Sequence, residues 1–350
     1  MKWKTYILIA VFLLAPFIGL SLVLVGFEQQ AEALSLPLEG MDQAAARVES
    51  SVSNLRQNAA FLNESIAEQE REYKEQEKLL QELAHRSQDQ KEMSDQMYEK
   101  RILTMLGPAI DSYRSQRVEI KVFKLDELGY RGYIAKAKLF DPSVVKVVLG
   151  QDKLGGSETT SSAVKRTGAI LGVNGGGFYS AVKDGKTGIF PIGNTIVDGE
   201  FVTGFHPSNG EVFFAGIGQH GKLIGGHFRE EKALLNHKPI QGVSFLPILI
   251  QGGKPLPLPK EWKNTKHPRT IIGEYANGDF ILIVVDGRQS DWSKGVTLER
   301  LQIKLIELGV KEGYNLDGGG SSAMVFKDRV LNRPSDGKQR PVANNIVIMP

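Results

Sequence analysis

The 350-residue chain contains no cysteine, which excludes disulfide frameworks, Cys-ligated zinc, iron–sulfur clusters and thiol nucleophiles. Glycine is nearly missing from the front of the chain: of 38 glycines, only Gly19, Gly26 and Gly40 precede Gly107. This skew rules out one uniform globular body, because glycine costs roughly 1 kcal/mol in a helix interior yet is favoured where φ is positive or backbones approach closely. A strong charge of one sign is also lacking. The formal net charge of +3 is too small to call for a nucleic-acid partner. The six histidines show no metal-ligand spacing, and no Gly-Lys-Ser/Thr follows a glycine-rich loop, so neither a zinc site nor a nucleoside triphosphate site is indicated. Ser321 and Ser322 lack the Gly-x-Ser-x-Gly elbow of a serine hydrolase.

What is present is distributed by position. An uncharged run from Thr5 to Phe27 has the length of a membrane span, about 30 Å as a helix. Lys2 and Lys4 on its short amino-terminal side predict a single-pass anchor within residues 1–34, with the carboxy-terminal part outside the cell membrane. The alternative is a secretory signal cleaved near Ala33, since Ala31-Glu32-Ala33 has the small-x-small form. From Val48, apolar positions recur alternately four and three apart through Val52, Leu55, Leu62, Ile66, Leu80 and Leu83, with neither Pro nor Gly from Met41 to Leu106. This predicts a coiled-coil-like helical stalk over 41–106 that either pairs with a second copy or serves as a solvated spacer. Gln69, Gln76, Ser87, Gln90 and Ser94 weaken the seam, and Gly107-Pro108 ends the helix.

The remainder, 117–350, alternates short apolar runs with Gly, Asn and Asp turns. Strands are expected near 117–125, 133–139, 144–149, 169–173, 211–215, 280–285, 323–326 and 345–349, and helices at 161–167 and 298–308. Many strands with few helices predict an α+β domain built on mixed sheet rather than a doubly wound nucleotide fold. Four segments have apolar strands that end in polar residues and glycines: Asn174-Gly175-Gly176-Gly177, Arg269-Thr270, Asp286-Gly287-Arg288, and Asn315-Leu316-Asp317-Gly318-Gly319-Gly320-Ser321-Ser322. Strand ends followed by glycines let a backbone approach a ligand and present its N–H groups. Two carboxylates in this setting suggest acid/base work, and arginine matches phosphate oxygens through paired hydrogen bonds. For each segment the bland reading is an ordinary turn or a surface ion pair.

These residues, with Pro191 to Gly199, Thr297 to Glu299 and Arg340-Pro341-Val342-Ala343-Asn344-Asn345, follow the motif order of a known family. From about Val118 to Pro350 the chain resembles the phosphodiester glycosidases, as a bacterial relative of the uncovering enzyme, N-acetylglucosamine-1-phosphodiester alpha-N-acetylglucosaminidase. Its third glycine, Gly177, departs from the pattern, where relatives often place an aromatic residue directly. The resemblance implies hydrolysis of a sugar-1-phosphodiester at the glycosidic C1–O bond of a phosphate-linked glycan, with no cofactor and a divalent metal left open. It implies Asp317 as the carboxylate facing C1, as nucleophile or base, with Asp286 as its partner or as acceptor for a sugar hydroxyl. Arg269, Arg288 and Arg340 would neutralise the departing phosphate. Asn174, Gly175, Gly176, Thr270, Asn315, Gly318, Gly319, Ser321 and Ser322 would hold hydroxyls and phosphate oxygens. Two rivals stand beside hydrolysis: a membrane-tethered module that binds phosphoglycans or assembles exopolysaccharide without cutting, and a structural stalk protein.

Overall fold

The computed structural model describes residues 14–21, 41–183 and 185–350. The chain divides into two compact units, Met1–Asp89 and Gln90–Pro350. One helix, Met41–Leu106, contributes to both. Within the first unit its apolar seam lies open to solvent, with Val48, Leu55, Leu62 and Ile66 all exposed.

The expected membrane anchor is overturned. Among the described residues no helix is long and apolar enough to cross a membrane. Residues 14–21 are helical. The rest of the expected span, 5–13 and 22–27, and the cleavage site near Ala33 lie outside the described residues. The single-pass topology that rested on this anchor falls with it.

In the second unit the last turns of the long helix pack on the domain. Ile102 is fully buried, and Tyr98, Leu103 and Leu106 join the cluster around it. The Tyr98 hydroxyl donates to the Gly309 carbonyl at 3.1 Å, while Glu99 pairs with buried Lys136, which also meets Asp279. Gly107, at φ +76, donates back to the Leu103 carbonyl at 3.0 Å and ends the helix as a left-handed cap.

Eight strands form the main sheet. In spatial order they are Asp111–Arg114, Val118–Glu127, Tyr130–Leu139, Phe280–Val285, Arg269–Tyr275, Val310–Leu316, Ile248–Gln251 and Lys254–Pro255. Two five-stranded sheets complete the body. One is centred on Phe213–Gly218 and Pro239–Phe245, the other on Leu171–Asn174 between Met324–Phe326 and Asn344–Ile348. A hairpin joins Phe178–Lys183 to Lys186–Pro191. The expected mixed sheet is corrected, since every strand pairing among the described residues is antiparallel. Short turns join some neighbours, such as Val118–Glu127 to Tyr130–Leu139 and Arg269–Tyr275 to Phe280–Val285, whereas a parallel pair needs a long crossover, usually a helix.

The strand Phe280–Val285 is buried at every position, and its period of two explains why. Phe280, Leu282 and Val284 face a core shared with the two smaller sheets, through Phe213, Val243, Val173 and Ile346. Ile281, Ile283 and Val285 face the opposite way, onto Leu298, Leu301 and Leu305 of the helix Leu298–Glu307 and onto Ile102. A strand buried on both faces holds its register tightly, because a one-residue slip would break both clusters. That register positions the candidate site.

Candidate functional site

Antiparallel pairing brings three chemistry-bearing strand ends to one edge of the main sheet. Arg269, at the start of its strand, lies opposite Val285, and Thr270 lies opposite Leu316. Asp286 and Asp317, each one residue past a strand end, therefore emerge beside Arg269. From the small sheet, Asn174 arrives at the end of Leu171–Asn174.

Asn174 is buried and stitches these elements together. Its Nδ2 donates to the Asp317 carbonyl at 2.6 Å, while its Oδ1 accepts from Thr270 Oγ1 at 2.7 Å and from the Ala323 N–H at 3.1 Å. The Asp317 N–H donates to the Gly175 carbonyl, and the Gly319 N–H to the Pro268 carbonyl. The Asp317 backbone is thus held from both sides before any ligand is considered. Asn315, also fully buried, donates to the Leu246 carbonyl at 2.7 Å.

Above this scaffold lies a cavity of about 200 Å³ lined by Asp317, Gly318, Gly319, Gly320, Arg269, Arg288, Arg340, His267, Phe245 and Trp262. Asp317 is the only carboxylate in this lining. Burial pushes its pKa up to about 6, against the lowering influence of the Ser321 hydroxyl, the Gly318 N–H and Arg340. Burial and the neighbouring Arg288 bring Arg269 down to about 10. One of its terminal nitrogens donates to the Thr265 carbonyl, while its Nε is buried without a hydrogen-bond partner.

Among the described residues, neither Arg269 nor Arg288 has a carboxylate partner. Arg269 is buried while Arg288 is exposed; a buried cation without a counter-charge is costly, so the Arg269 side of the cavity favours an anion. Arg288 adopts φ +61, a conformation that costs a bulky residue about 1 kcal/mol or more and that clusters at functional sites. Its guanidinium approaches His267 Nδ1 at 3.4 Å. Burial, then Arg269, then Arg288 lower the His267 pKa, favouring neutral imidazole. Arg340 pairs with Asp336 at 2.8 Å. Trp262 and Phe245 meet edge-to-face with ring centroids 6.2 Å apart, and the Arg269 guanidinium lies over the Trp262 ring at 5.9 Å.

Of the residues singled out in the sequence, Asp317, Gly318, Gly319, Arg269, Arg288 and Arg340 converge on the cavity. Asn174, Gly175, Gly176, Thr270, Asn315, Ser321 and Ser322 do not line it; they are buried around it. The expectation of ligand access at Gly175 and Gly176 is corrected. A Cβ on Gly175 would lie 2.1 Å from Asn344 Oδ1, and one on Gly176 2.5 Å from the Ser244 carbonyl, so packed protein occupies that space.

Asp286 is corrected as well, because it does not share the cavity. It is buried, its Oδ2 accepting from Trp292 Nε1 at 2.8 Å and its Oδ1 from Asn332 Nδ2 at 3.0 Å and the Arg333 N–H at 2.8 Å. Desolvation raises its pKa, and its lone pairs are committed to holding the 332–333 loop. Sequence reasoning missed His267, Trp262 and Phe245 as cavity residues. Only His267, two positions before Arg269, carried a local signal. No cluster of three His, Asp or Glu side chains that could hold a metal occurs among the described residues.

The site thus sets a carboxylate of raised pKa in one cavity with Arg269 and Arg288, in an antiparallel strand-rich body. The chain belongs to the phosphodiester glycosidase family, whose sequence model matches residues 167–349. It is 28% identical over 195 residues to the SPbeta prophage-derived uncharacterized protein YomE of Bacillus subtilis, covering 55% of this chain and 29% of that protein. It is 26% identical over 194 residues to the N-acetylglucosamine-1-phosphodiester alpha-N-acetylglucosaminidase of Bos taurus, covering 51% of this chain and 35% of that one. The chain thus spans about a third of the length of these relatives. The zebrafish N-acetylglucosamine-1-phosphodiester alpha-N-acetylglucosaminidase catalytic domain superposes with a TM-score of 0.53 at 24% identity, over 69% of this chain and 87% of that one, a likeness of fold.

Proposed function

We propose that the protein hydrolyses sugar-1-phosphodiesters at the glycosidic C1–O bond. The observation that carries this reading is the meeting of Asp317, held at a pKa of about 6, with the unpaired Arg269 and Arg288 in one cavity. Family membership supports the reaction class, and the bovine and zebrafish proteins carry the name of such an activity.

In the reaction, the C1–O bond to phosphate breaks and its electron pair leaves with the phosphate oxygen. Water supplies OH to C1 and a proton to the medium, giving free sugar and a phosphomonoester. The leaving group is a stable phosphate anion, so it needs charge neutralisation more than protonation. Arg269, Arg288 and Arg340 provide this, and being already in place they cost little reorganisation when charge develops. Ionised Asp317 serves C1, either by attacking it or by activating the water. Trp262 and Phe245 offer an apolar wall for a sugar face. Asn174 and Thr270 act as positioning residues, since their polar atoms are spent on the backbone that carries Asp317 and on each other.

The test uses the full-length chain and a panel of sugar-1-phosphodiesters, beginning with N-acetylglucosamine, with free sugar and phosphomonoester assayed separately. Equal release of both products by wild type, and loss of at least about a thousandfold in kcat/KM in Asp317→Asn with the fold retained, is the expected outcome. Full turnover by folded Asp317→Asn would remove the role given to that carboxylate.

A further inference from the structure

The helix Met41–Leu106 carries a stripe of apolar side chains that stands in solvent. From Val48 to Met97 its positions recur alternately four and three apart, the spacing that keeps one side of a helix against a second helix. With Val52 counted as position a of the heptad, Leu55 and Leu62 are d, Ile66 and Leu80 are a, and Leu83 is d. All six are exposed.

Near the domain the two sides of this helix have separate roles. Glu99, Ile102, Leu103 and Leu106, at positions f, b, c and f, face the domain. Ile102 is buried with Leu103 and Leu106 beside it, and Glu99 pairs with Lys136. The a and d side stays open, as a groove of about 450 Å³ lined by Gln90, Met93, Ser94, Met97, Tyr98 and Arg101. Gln90, Met93, Ser94 and Met97 are spaced i, i+3, i+4 and i+7, and so are Ser94, Met97, Tyr98 and Arg101. Four residues so spaced form the hole that receives one seam side chain of a facing helix. The groove is therefore two successive holes, in the same register that begins at Val48.

The order of the layers selects the partner. A second copy, parallel and in register, sets every seam residue against itself. Val52, Leu55, Leu62, Ile66, Leu80 and Leu83 then make apolar layers, while Gln69, Gln76 and Gln90 meet their own amides. An antiparallel copy spanning the same stretch would set Leu55 against the partner's Ser94, Leu62 against the partner's Ser87 and Leu80 against the partner's Gln69. Hydroxyls and amides would then be buried against aliphatic side chains, which is costly. A β-branched residue at a with Leu at d, as in Val52, Leu55, Leu62 and Ile66, also favours two parallel strands.

We infer that this face is the interface of a parallel, in-register, two-stranded coiled coil between two copies of this chain, running from Val48 to Met97. Pairing brings residue 101 of both copies, and the domain that follows each, to one end of the coil. The flanking charges oppose it. Glu72 at g lies against the partner's Glu77 at e, and Arg86 against the partner's Lys91. The polar layers also cost stability while fixing the register. Association is thus weak, and it strengthens as salt screens the like-charge pairs.

The test is sedimentation equilibrium of the full-length chain over about a hundredfold range of concentration. Wild type is expected to pass from one chain mass to two, with a lower Kd at high than at low sodium chloride. Leu62→Lys combined with Ile66→Lys should raise Kd by about tenfold or more, with the near-UV circular dichroism of the domain unchanged. Glu77→Lys, which places a cation against the partner's Glu72, should lower Kd by about threefold or more and weaken the salt dependence. Because the chain has no cysteine, one introduced thiol reads the register: Leu62→Cys should close a disulfide between copies on mild oxidation, and Glu64→Cys, at the outer f position, should not. A chain that stays monomeric, an assembly larger than two, or a dimer untouched by the paired lysine substitutions would overturn the inference. A dimer that Glu77→Lys fails to tighten, or that Leu62→Cys fails to cross-link, would overturn the parallel register.

Discussion

Asn174 Nδ2 reaches the main-chain carbonyl of Asp317 at 2.6 Å, across a sheet boundary and 143 residues of sequence. One buried amide thereby ties the candidate catalytic carboxylate to the end of a strand in another sheet. Asn174→Ala would strip the acceptor from the Thr270 hydroxyl and the Ala323 N–H and leave the Asp317 carbonyl short of a donor. Stability is expected to fall by about 2–4 kcal/mol, measured by urea unfolding, since each buried group left unpaired costs about 1–3 kcal/mol. Thr270→Val, which removes only one donor, should cost less.

The raised pKa of Asp317 has a signed consequence. Its native value of about 6 exceeds the ordinary 3.8, so between these values the folded state holds a proton that the unfolded chain has released. Its contribution to stability is full below pH 3.8 and declines as pH rises to about 6. Relative to wild type, Asp317→Asn should gain on the order of 2–3 kcal/mol across that window, read from unfolding at pH 4 and pH 7. The acidic limb of kcat/KM should break near pH 6 if the ionised form does the work.

Arg288 combines a strained backbone with an unpaired cation. Arg288→Gly keeps the left-handed turn and removes the guanidinium. Activity should drop by about a hundredfold, while stability stays within about 1 kcal/mol of wild type, because relief of strain offsets the added freedom of the unfolded chain. A large loss of stability would mean that the side chain serves the fold.

Two glycines separate packing from function. A Cβ at Gly176 meets the Ser244 carbonyl, a main-chain atom that cannot step aside, at 2.5 Å. At Gly320 it meets the Arg340 side-chain terminus at 2.1 Å and Asp336 Oδ2 at 2.3 Å, both of which can move. Gly176→Ala should lose stability by about 1–3 kcal/mol. Gly320→Ala should instead displace Arg340 and raise KM with a smaller change in midpoint of unfolding.

The sequence made half of this site legible. Asp317 could be read because three consecutive glycines weaken a strand and require a reason, and Arg269 and Arg288 because each flanks a strand end. Asp286 has a similar setting, a strand followed by Asp-Gly, but a single such turn is a weaker signal than three glycines. Its confinement comes from Trp292 and Asn332, which only the folded chain brings to it. Trp262 and Phe245 were hidden for a similar reason, since a Pro-rich loop and a separate sheet deliver them. The expected strands were those with clear alternation, such as Val118–Glu127, or with an unbroken apolar run, such as Phe280–Val285. Pro239–Phe245 escaped because Gly242 and its proline start read as turn, yet Gly242 is required where a Cβ would lie 2.1 Å from the Phe214 ring.

The central claim is the bond that breaks, and isotope transfer tests it most directly. The full-length protein is given an N-acetylglucosamine-1-phosphodiester in ¹⁸O-labelled water, and both products are weighed by mass spectrometry after one turnover. Cleavage at C1–O places the heavy oxygen on the released sugar and none on the phosphomonoester. Heavy oxygen on the phosphate would show cleavage at P–O and contradict the roles given to Asp317 and the arginines.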